Sequence, residues 1–125
     1  NVKFKYLDKW LEDRFQVALR YQKLFEKYNL LDKIKLPLTD LHSFKNHKEH
    51  TFHQYVIFVE NRDRLQEFLK ENNIGTNIYY PLCLHLQECF KYLGYKKGDF
   101  PIAEDASKRV LAIPMYPELN EEKQE

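Results

Sequence analysis

Three groupings of side chains in this sequence have the types and spacing to do chemistry. The first is the tyrosine pair in Gly75-Thr-Asn-Ile-Tyr-Tyr-Pro-Leu-Cys-Leu-His85. Consecutive strand residues point to opposite faces, so Tyr79 and Tyr80 cannot both be core, and one hydroxyl is expected to meet water or a ligand. Half-buried rings that merely pack at a strand end explain the same pair. The second grouping is Cys83 with His85. Two apart in an extended segment, they share a face, as a thiolate nucleophile and its base must. A buried thiol beside a packing histidine is the expected reading of that spacing. The third is His42, His47, His50 and His53, with His47-x2-His50-x2-His53 inviting a metal. Zinc-binding histidines on a helix come at i and i+4, and no carboxylate or cysteine cluster completes this set. A solvated histidine-rich loop is therefore the expectation, and no metal is assigned. No serine–histidine–aspartate set can be argued from spacing. The three glycines build no phosphate-cradling GxGxxG or GxxxxGK loop. No catalytic residue is assigned in this chain.

The elements that must position these groups are legible from periodicity. Phe4, Leu7, Leu11, Phe15, Ala18, Tyr21, Leu24, Phe25 and Tyr28 recur in steps of three and four, predicting a long amphipathic helix over residues 1–29. Ile34, Leu36 and Pro37 suggest a short strand ended by the proline. Thr51 to Glu60 reads as a central strand whose two faces both become apolar toward its far end. Asn61 caps a predicted helix from Arg62 to Glu71 with Leu65, Phe68 and Leu69 inward. Asn72, Asn73 and Gly75 supply its exit. A further strand is expected through Ile78 and Tyr80, stopped by Pro81. Leu86 to Leu93 reads as a short helix packing Leu86, Cys89, Phe90 and Leu93, with Cys89 as a small core hydrophobe and Gly94 as the stop. Pro101 opens another helix, with Glu104 and Asp105 near its positive end and Lys108 and Arg109 near its close. Leu111 to Pro117 is extended, and Asn120 starts a last helix. The fold class is α+β, a single domain over 1–125 in which a long helix (1–29) leads into a small sheet flanked by helices (30–125).

Composition bounds the function. Hydrophobic content of 43% and aromatic content of 15% suit a globular chain of 125 residues. With 20 basic and 19 acidic residues interleaved, the net charge is +1. Nothing there calls for nucleic acid or an anionic membrane as partner. No apolar run is long enough to span a bilayer. Two cysteines make no disulfide framework, and a cytoplasmic location is the default. The start at Asn1 and the helix opening near Glu125 suggest a fragment of a longer protein.

A set of short motifs, in order along almost the whole chain, resembles one family. They are Lys3-Phe-Lys-Tyr-Leu-Asp-Lys-Trp10 with Arg14 and Tyr21; His53-Gln-Tyr-Val-Ile57 followed by Asn61-Arg62-Asp63; and Ile74-Gly-Thr-Asn-Ile-Tyr-Tyr-Pro81. Leu84-His-Leu-Gln87, Leu93-Gly-Tyr95, Gly98-Asp-Phe-Pro-Ile-Ala-Glu104 and Ile113-Pro-Met-Tyr-Pro-Glu-Leu119 follow. Together they are similar to the C-terminal part of the DegT/DnrJ/StrS family of pyridoxal-phosphate-dependent sugar aminotransferases.

That resemblance implies the small C-terminal domain of a fold-type I aminotransferase with its long linking helix, the large cofactor-binding domain being absent. The intact protein would be a homodimer that moves an amino group from glutamate or a similar donor onto a nucleotide-linked keto-sugar, in cell-surface sugar biosynthesis. Pyridoxal phosphate would sit on a lysine of the large domain, so this chain alone would be inactive and hold no cofactor. The substrate-facing residues would be Tyr79, Tyr80 and His85. Tyr79-Tyr80-Pro81 stands where the family commonly has His-Tyr-Pro, and Cys83 where proline is frequent. A phenol in place of imidazole still stacks and hydrogen-bonds but carries no charge near neutral pH. Two alternatives stay open: a sugar dehydratase of the same family, and a non-catalytic regulatory or interaction module.

Overall fold

In the computed structural model, residues 1–37 and 49–125 are described. A 3-10 turn, Lys3–Tyr6, leads into helix α1, Leu7–Lys27. At about 1.5 Å per residue α1 is roughly 31 Å long. It ends where Asn29 adopts φ 54, a left-handed conformation that a short polar side chain tolerates, and the Leu30 N–H returns to the Phe25 carbonyl at 2.9 Å.

Three antiparallel strands follow in the spatial order β1-β2-β3: β1 is Ile34–Lys35, β2 is Tyr55–Val59 and β3 is Val110–Ile113. Tyr55 pairs with Ile113 and Phe58 with Val110, while Ile34 faces Val59 across the other edge of β2. β2 is central, as expected, but starts four residues late. Phe52 is fully buried at φ 42, outside the extended region, so Thr51 to Gln54 cannot join the ladder. The two apolar faces of β2 are both covered, but to different degrees. Tyr55, Ile57 and Val59 are buried on one face, whereas Val56 and Phe58 are half-buried on the other.

The buried face packs with Val17, Ala18 and Tyr21 of α1, with Phe52 and with Leu119. Val17 lies outside the predicted stripe yet is fully buried, while Phe4 and Leu7 at the head of the stripe are exposed and Trp10, Leu11 and Phe15 only partly covered. The reason is length. A five-residue strand reaches about 17 Å, roughly half of α1, so the sheet covers only its middle.

Helix α2, Arg62–Glu71, has the predicted bounds. Asn61 occupies its N-cap position without a side-chain cap bond; its carbonyl accepts from the Leu65 N–H at 3.0 Å. At the exit Asn73 takes φ 60 and Ile74 N–H reaches the Leu69 carbonyl at 2.8 Å, whereas Gly75 has no positive φ. Phe68, read as inward, is exposed, while Leu65 and Leu69 pack on the core. Helix α3, Pro101–Arg109, runs directly into β3. Arg62 clamps that junction from inside: buried, it donates through Nη1 to the Val110 carbonyl at 3.1 Å and the Ser107 carbonyl at 3.4 Å.

The C-terminal segment returns along α1. Tyr21 Oη donates to the Pro114 carbonyl at 2.8 Å and Arg20 Nη2 to the Leu119 carbonyl at 2.6 Å. Arg14 Nη1 lies 3.3 Å from each of the Phe52, His53 and Met115 carbonyls. Helix α4, Glu121–Gln124, is capped by Asn120, whose side chain accepts the Lys123 N–H at 3.0 Å, and Gln124 Nε2 donates to the Val17 carbonyl at 2.7 Å.

Candidate functional site

The Gly75–His85 stretch is placed by one backbone bridge. Asn77 exchanges both hydrogen bonds with Ala112 of β3, at 3.1 and 2.7 Å, and pairing stops there. The expected strand through Ile78 and Tyr80 is therefore corrected to a single bridge, and the alternation argument built on it lapses. Tyr79 and Tyr80 are joined by a cis peptide, meet edge-on with ring centres 6.2 Å apart, and are both exposed, at 39% and 69%. Both border one cavity of about 400 Å³, which the chain closes against α3 with Leu82, Leu84, Phe100 and Ala103. Tyr79 also borders a smaller cleft of about 190 Å³ with His53, Gln54, Thr76 and Asn77. Tyr79 thus stands as the partition between an apolar cavity and a polar cleft. Neither phenol hydroxyl bonds to a described residue, so both can serve as neutral donors and acceptors.

His85 lines the same cavity but is turned inward. Its Nε2 lies 3.1 Å from Glu104 Oε1, with only 8% and 10% of the two side chains exposed, and its ring packs 4.8 Å from Phe100. The same Glu104 oxygen accepts the Gly98 N–H at 2.7 Å. Those hydrogen bonds, Gly98 first and His85 after it, hold the Glu104 carboxyl below the ordinary glutamate range against the opposing effect of its burial. Sequence reading placed Glu104 as a helix-dipole partner and at the end of the Gly98–Glu104 motif, not as a partner of His85. Its bond to His85, 19 positions away, carries no local pattern.

Cys83 and His85 share the cavity, as an extended segment would require, but they do not form a nucleophile–base pair. The thiol is directed to the Ala103 carbonyl at 3.2 Å and the imidazole to Glu104. Residues 84–93 form two 3-10 segments, Leu84–Leu86 and Glu88–Leu93, in place of the expected helix. Gly94 ends the second at φ 76, and Cys89, expected in the core, is exposed because a 3-10 turn offers no continuous inward stripe. His42 and His47 lie outside the described residues; His50 Nδ1 accepts the Phe52 N–H at 3.0 Å. Among the described residues no cluster of three metal-ligating side chains forms, and no helix is long and apolar enough to cross a membrane. Among the described residues neither cavity is lined by Lys or Arg, so these linings do not fit a phosphate-bearing aldehyde cofactor, which needs an amine and an anion cradle.

A small antiparallel sheet carrying a long N-terminal helix is the arrangement this chain shares with part of solved aminotransferases. Among them is a DegT DnrJ EryC1 StrS aminotransferase from Brucella abortus, matched over 98% of this chain and 30% of that one with a TM-score of 0.78 and 32% identity. S. venezuelae DesV, solved in complex with a ketimine intermediate, superposes on 98% of this chain with a TM-score of 0.81 and 26% identity, the match taking in 31% of DesV. The chain belongs to the DegT/DnrJ/EryC1/StrS aminotransferase family, whose model matches residues 1–125. It is 46% identical over 125 residues to a pleiotropic regulatory protein of Geobacillus stearothermophilus. It is 31% identical over 125 residues to the dTDP-3-amino-3,6-dideoxy-alpha-D-galactopyranose transaminase of Aneurinibacillus thermoaerophilus. All of this chain is covered in both, but only 32% and 31% of those relatives, so the chain spans about a third of their length.

Proposed function

We propose that the intact protein transfers an amino group from an amino-acid donor to a nucleotide-linked keto-sugar, and that this chain lends the substrate-facing wall. The supporting observation is the pair of unbonded, exposed phenols of Tyr79 and Tyr80 on the lip of the cavity, in a chain matched by the family model throughout. Aromatic faces stack on the C–H face of a sugar ring while their hydroxyls meet its hydroxyls. His85 borders the same cavity, held to α3 by Glu104. Residues 1–29 serve as the linking helix and 30–125 as the small domain; pyridoxal phosphate is held by residues outside this chain, in a homodimer.

The test is made on the full-length protein. L-Glutamate is expected to bleach the cofactor's visible absorption band and a keto-sugar nucleotide to restore it. Tyr79→Phe and Tyr80→Phe are each expected to raise KM for the sugar by roughly tenfold, the worth of one hydrogen bond, with the glutamate half-reaction unchanged. A glutamate-insensitive protein would refute the reading. The name of the Geobacillus relative favours a second one, a regulatory module. With net charge +1 it would act through protein contacts, and salt-sensitive DNA binding by this chain would contradict that.

A further inference from the structure

Two side chains seat the wall on α3. Between Ile78 and His85 the described hydrogen bonds that reach α3 run from the Cys83 thiol to the Ala103 carbonyl at 3.2 Å and between His85 Nε2 and Glu104 Oε1 at 3.1 Å. Glu104 is itself fixed. The same oxygen accepts at 2.7 Å the N–H of Gly98, which at φ 100 adopts a conformation that a side chain would resist. Its carboxyl lies below the ordinary glutamate range, so at neutral pH it is ionised and can only accept. The hydrogen in the 3.1 Å contact therefore belongs to His85 Nε2. The other ring nitrogen, Nδ1, has no hydrogen-bond partner among the described residues. It sits on a side chain only 8% exposed that lines the 400 Å³ cavity, with the Phe100 ring packed 4.8 Å away. A neutral imidazole that donates from Nε2 accepts at Nδ1, and acceptors on buried side chains are normally met by a donor.

From this we infer that Glu104 is a positioning residue for the acceptor: through its bond to Nε2 it holds His85 so that Nδ1 accepts a hydroxyl of the sugar bound beside Tyr79 and Tyr80. The inference rests on the aminotransferase reading and adds to it a residue outside the cavity lining. The hydrogen bond at one ring nitrogen decides what the other can do, and here a carboxylate makes that choice. An imidazole released from Glu104 would have to be reoriented each time a sugar binds. One already clamped by the carboxylate on one edge and by Phe100 on its ring is ordered before the sugar arrives. Removing the carboxylate therefore weakens sugar binding without removing any atom that meets the sugar.

The experiment uses the full-length protein loaded with its cofactor, and the acceptor turned over fastest from a panel of dTDP- and UDP-linked keto-hexoses. Glu104→Ala and His85→Ala are each expected to raise KM for that acceptor by roughly tenfold, the loss appearing in KM and not in kcat. The double variant is expected to cost no more than either alone, because both break the same chain of bonds. Glu104→Gln, whose amide oxygen still accepts from Gly98 and His85, is expected to stay within about threefold of the natural KM. Crystals of the natural protein with the amino-sugar product give a readout that depends on no variant: His85 Nδ1 is expected about 3 Å from a sugar oxygen. A double variant whose KM effects multiply would overturn the inference. So would a lowered Tm with KM unmoved in Glu104→Ala, or a bound sugar out of reach of Nδ1. A cofactor band unresponsive to glutamate, or restored by no acceptor of the panel, would overturn the aminotransferase reading itself, and this one with it.

Discussion

Removing one hydroxyl from each of two neighbouring core tyrosines is expected to change stability in opposite directions. Tyr21 and Tyr55 pack in the core with ring centres 5.0 Å apart. Tyr21 Oη donates to the Pro114 carbonyl at 2.8 Å, while Tyr55 Oη is buried with no hydrogen-bond partner among the described residues. Tyr21→Phe loses a made bond and leaves a carbonyl unpaired, a cost of about 1 kcal/mol. Tyr55→Phe removes a hydroxyl that was desolvated for nothing, a gain of about 1 kcal/mol before the small void it leaves is subtracted. For a domain of this size each kilocalorie moves Tm by roughly 3–5 °C. Urea and thermal unfolding followed by circular dichroism read both changes.

The same pair predicts alkaline behaviour. Burial pushes both phenols well above the ordinary tyrosine value, and for Tyr21 the neighbouring Tyr116 adds to it. The folded state therefore keeps two protons that the unfolded chain releases above about pH 10. Stability is full below that pH and falls as pH rises through it, by about 1.4 kcal/mol per unit for each tyrosine. Tyr55→Phe is expected to halve that slope. A Tyr55→Phe variant as destabilised as Tyr21→Phe would refute the reasoning, because it would mean that the hydroxyl has a partner.

Three more perturbations test other contacts. Arg62→Leu is expected to cost about 2–3 kcal/mol, since it strips a charged donor from the carbonyls at the α3–β3 junction, and denaturant unfolding measures it. The depressed carboxyl of Glu104 stabilises the fold at neutral pH and ceases to as pH falls through the ordinary glutamate range toward its folded value. Glu104→Gln is expected to flatten that acid limb and to speed amide exchange at Gly98. Of the two free thiols, exposed Cys89 is expected to react with a disulfide reagent well before Cys83, so Cys89→Ser should abolish the fast phase.

What the sequence disclosed was whatever depends on local period. The bounds of α2, the proline-led start of α3, the central position of β2 and the Asn120 cap all follow from spacing or from one residue's chemistry. Of the candidate site, the sequence indicated which residues come together. Tyr79, Tyr80 and His85 do border one cavity, although the strand alternation that first set the tyrosines apart is absent. What stayed hidden depends on distant partners: Glu104 under His85, Arg62 under Val110, and Phe52 bending the chain before β2. The 3-10 path of residues 84–93 was hidden for a different reason. Its apolar spacing satisfies a helix, but Gln87 is extended and splits it, and His85 is drawn to Glu104 of α3.

The polar ties between α1 and the C-terminal segment bear on when this fold can form. Tyr21–Pro114 and Gln124–Val17 join residues 93 and 107 positions apart. Closing such loops costs chain entropy before any contact repays it, so folding is slow relative to a helical bundle of equal size. On a ribosome, α1 would emerge before its partners and wait, its apolar middle unpaired, until β3 and the strap behind it had been made. A chaperone that recognises amphipathic helices would find its longest opportunity in that interval.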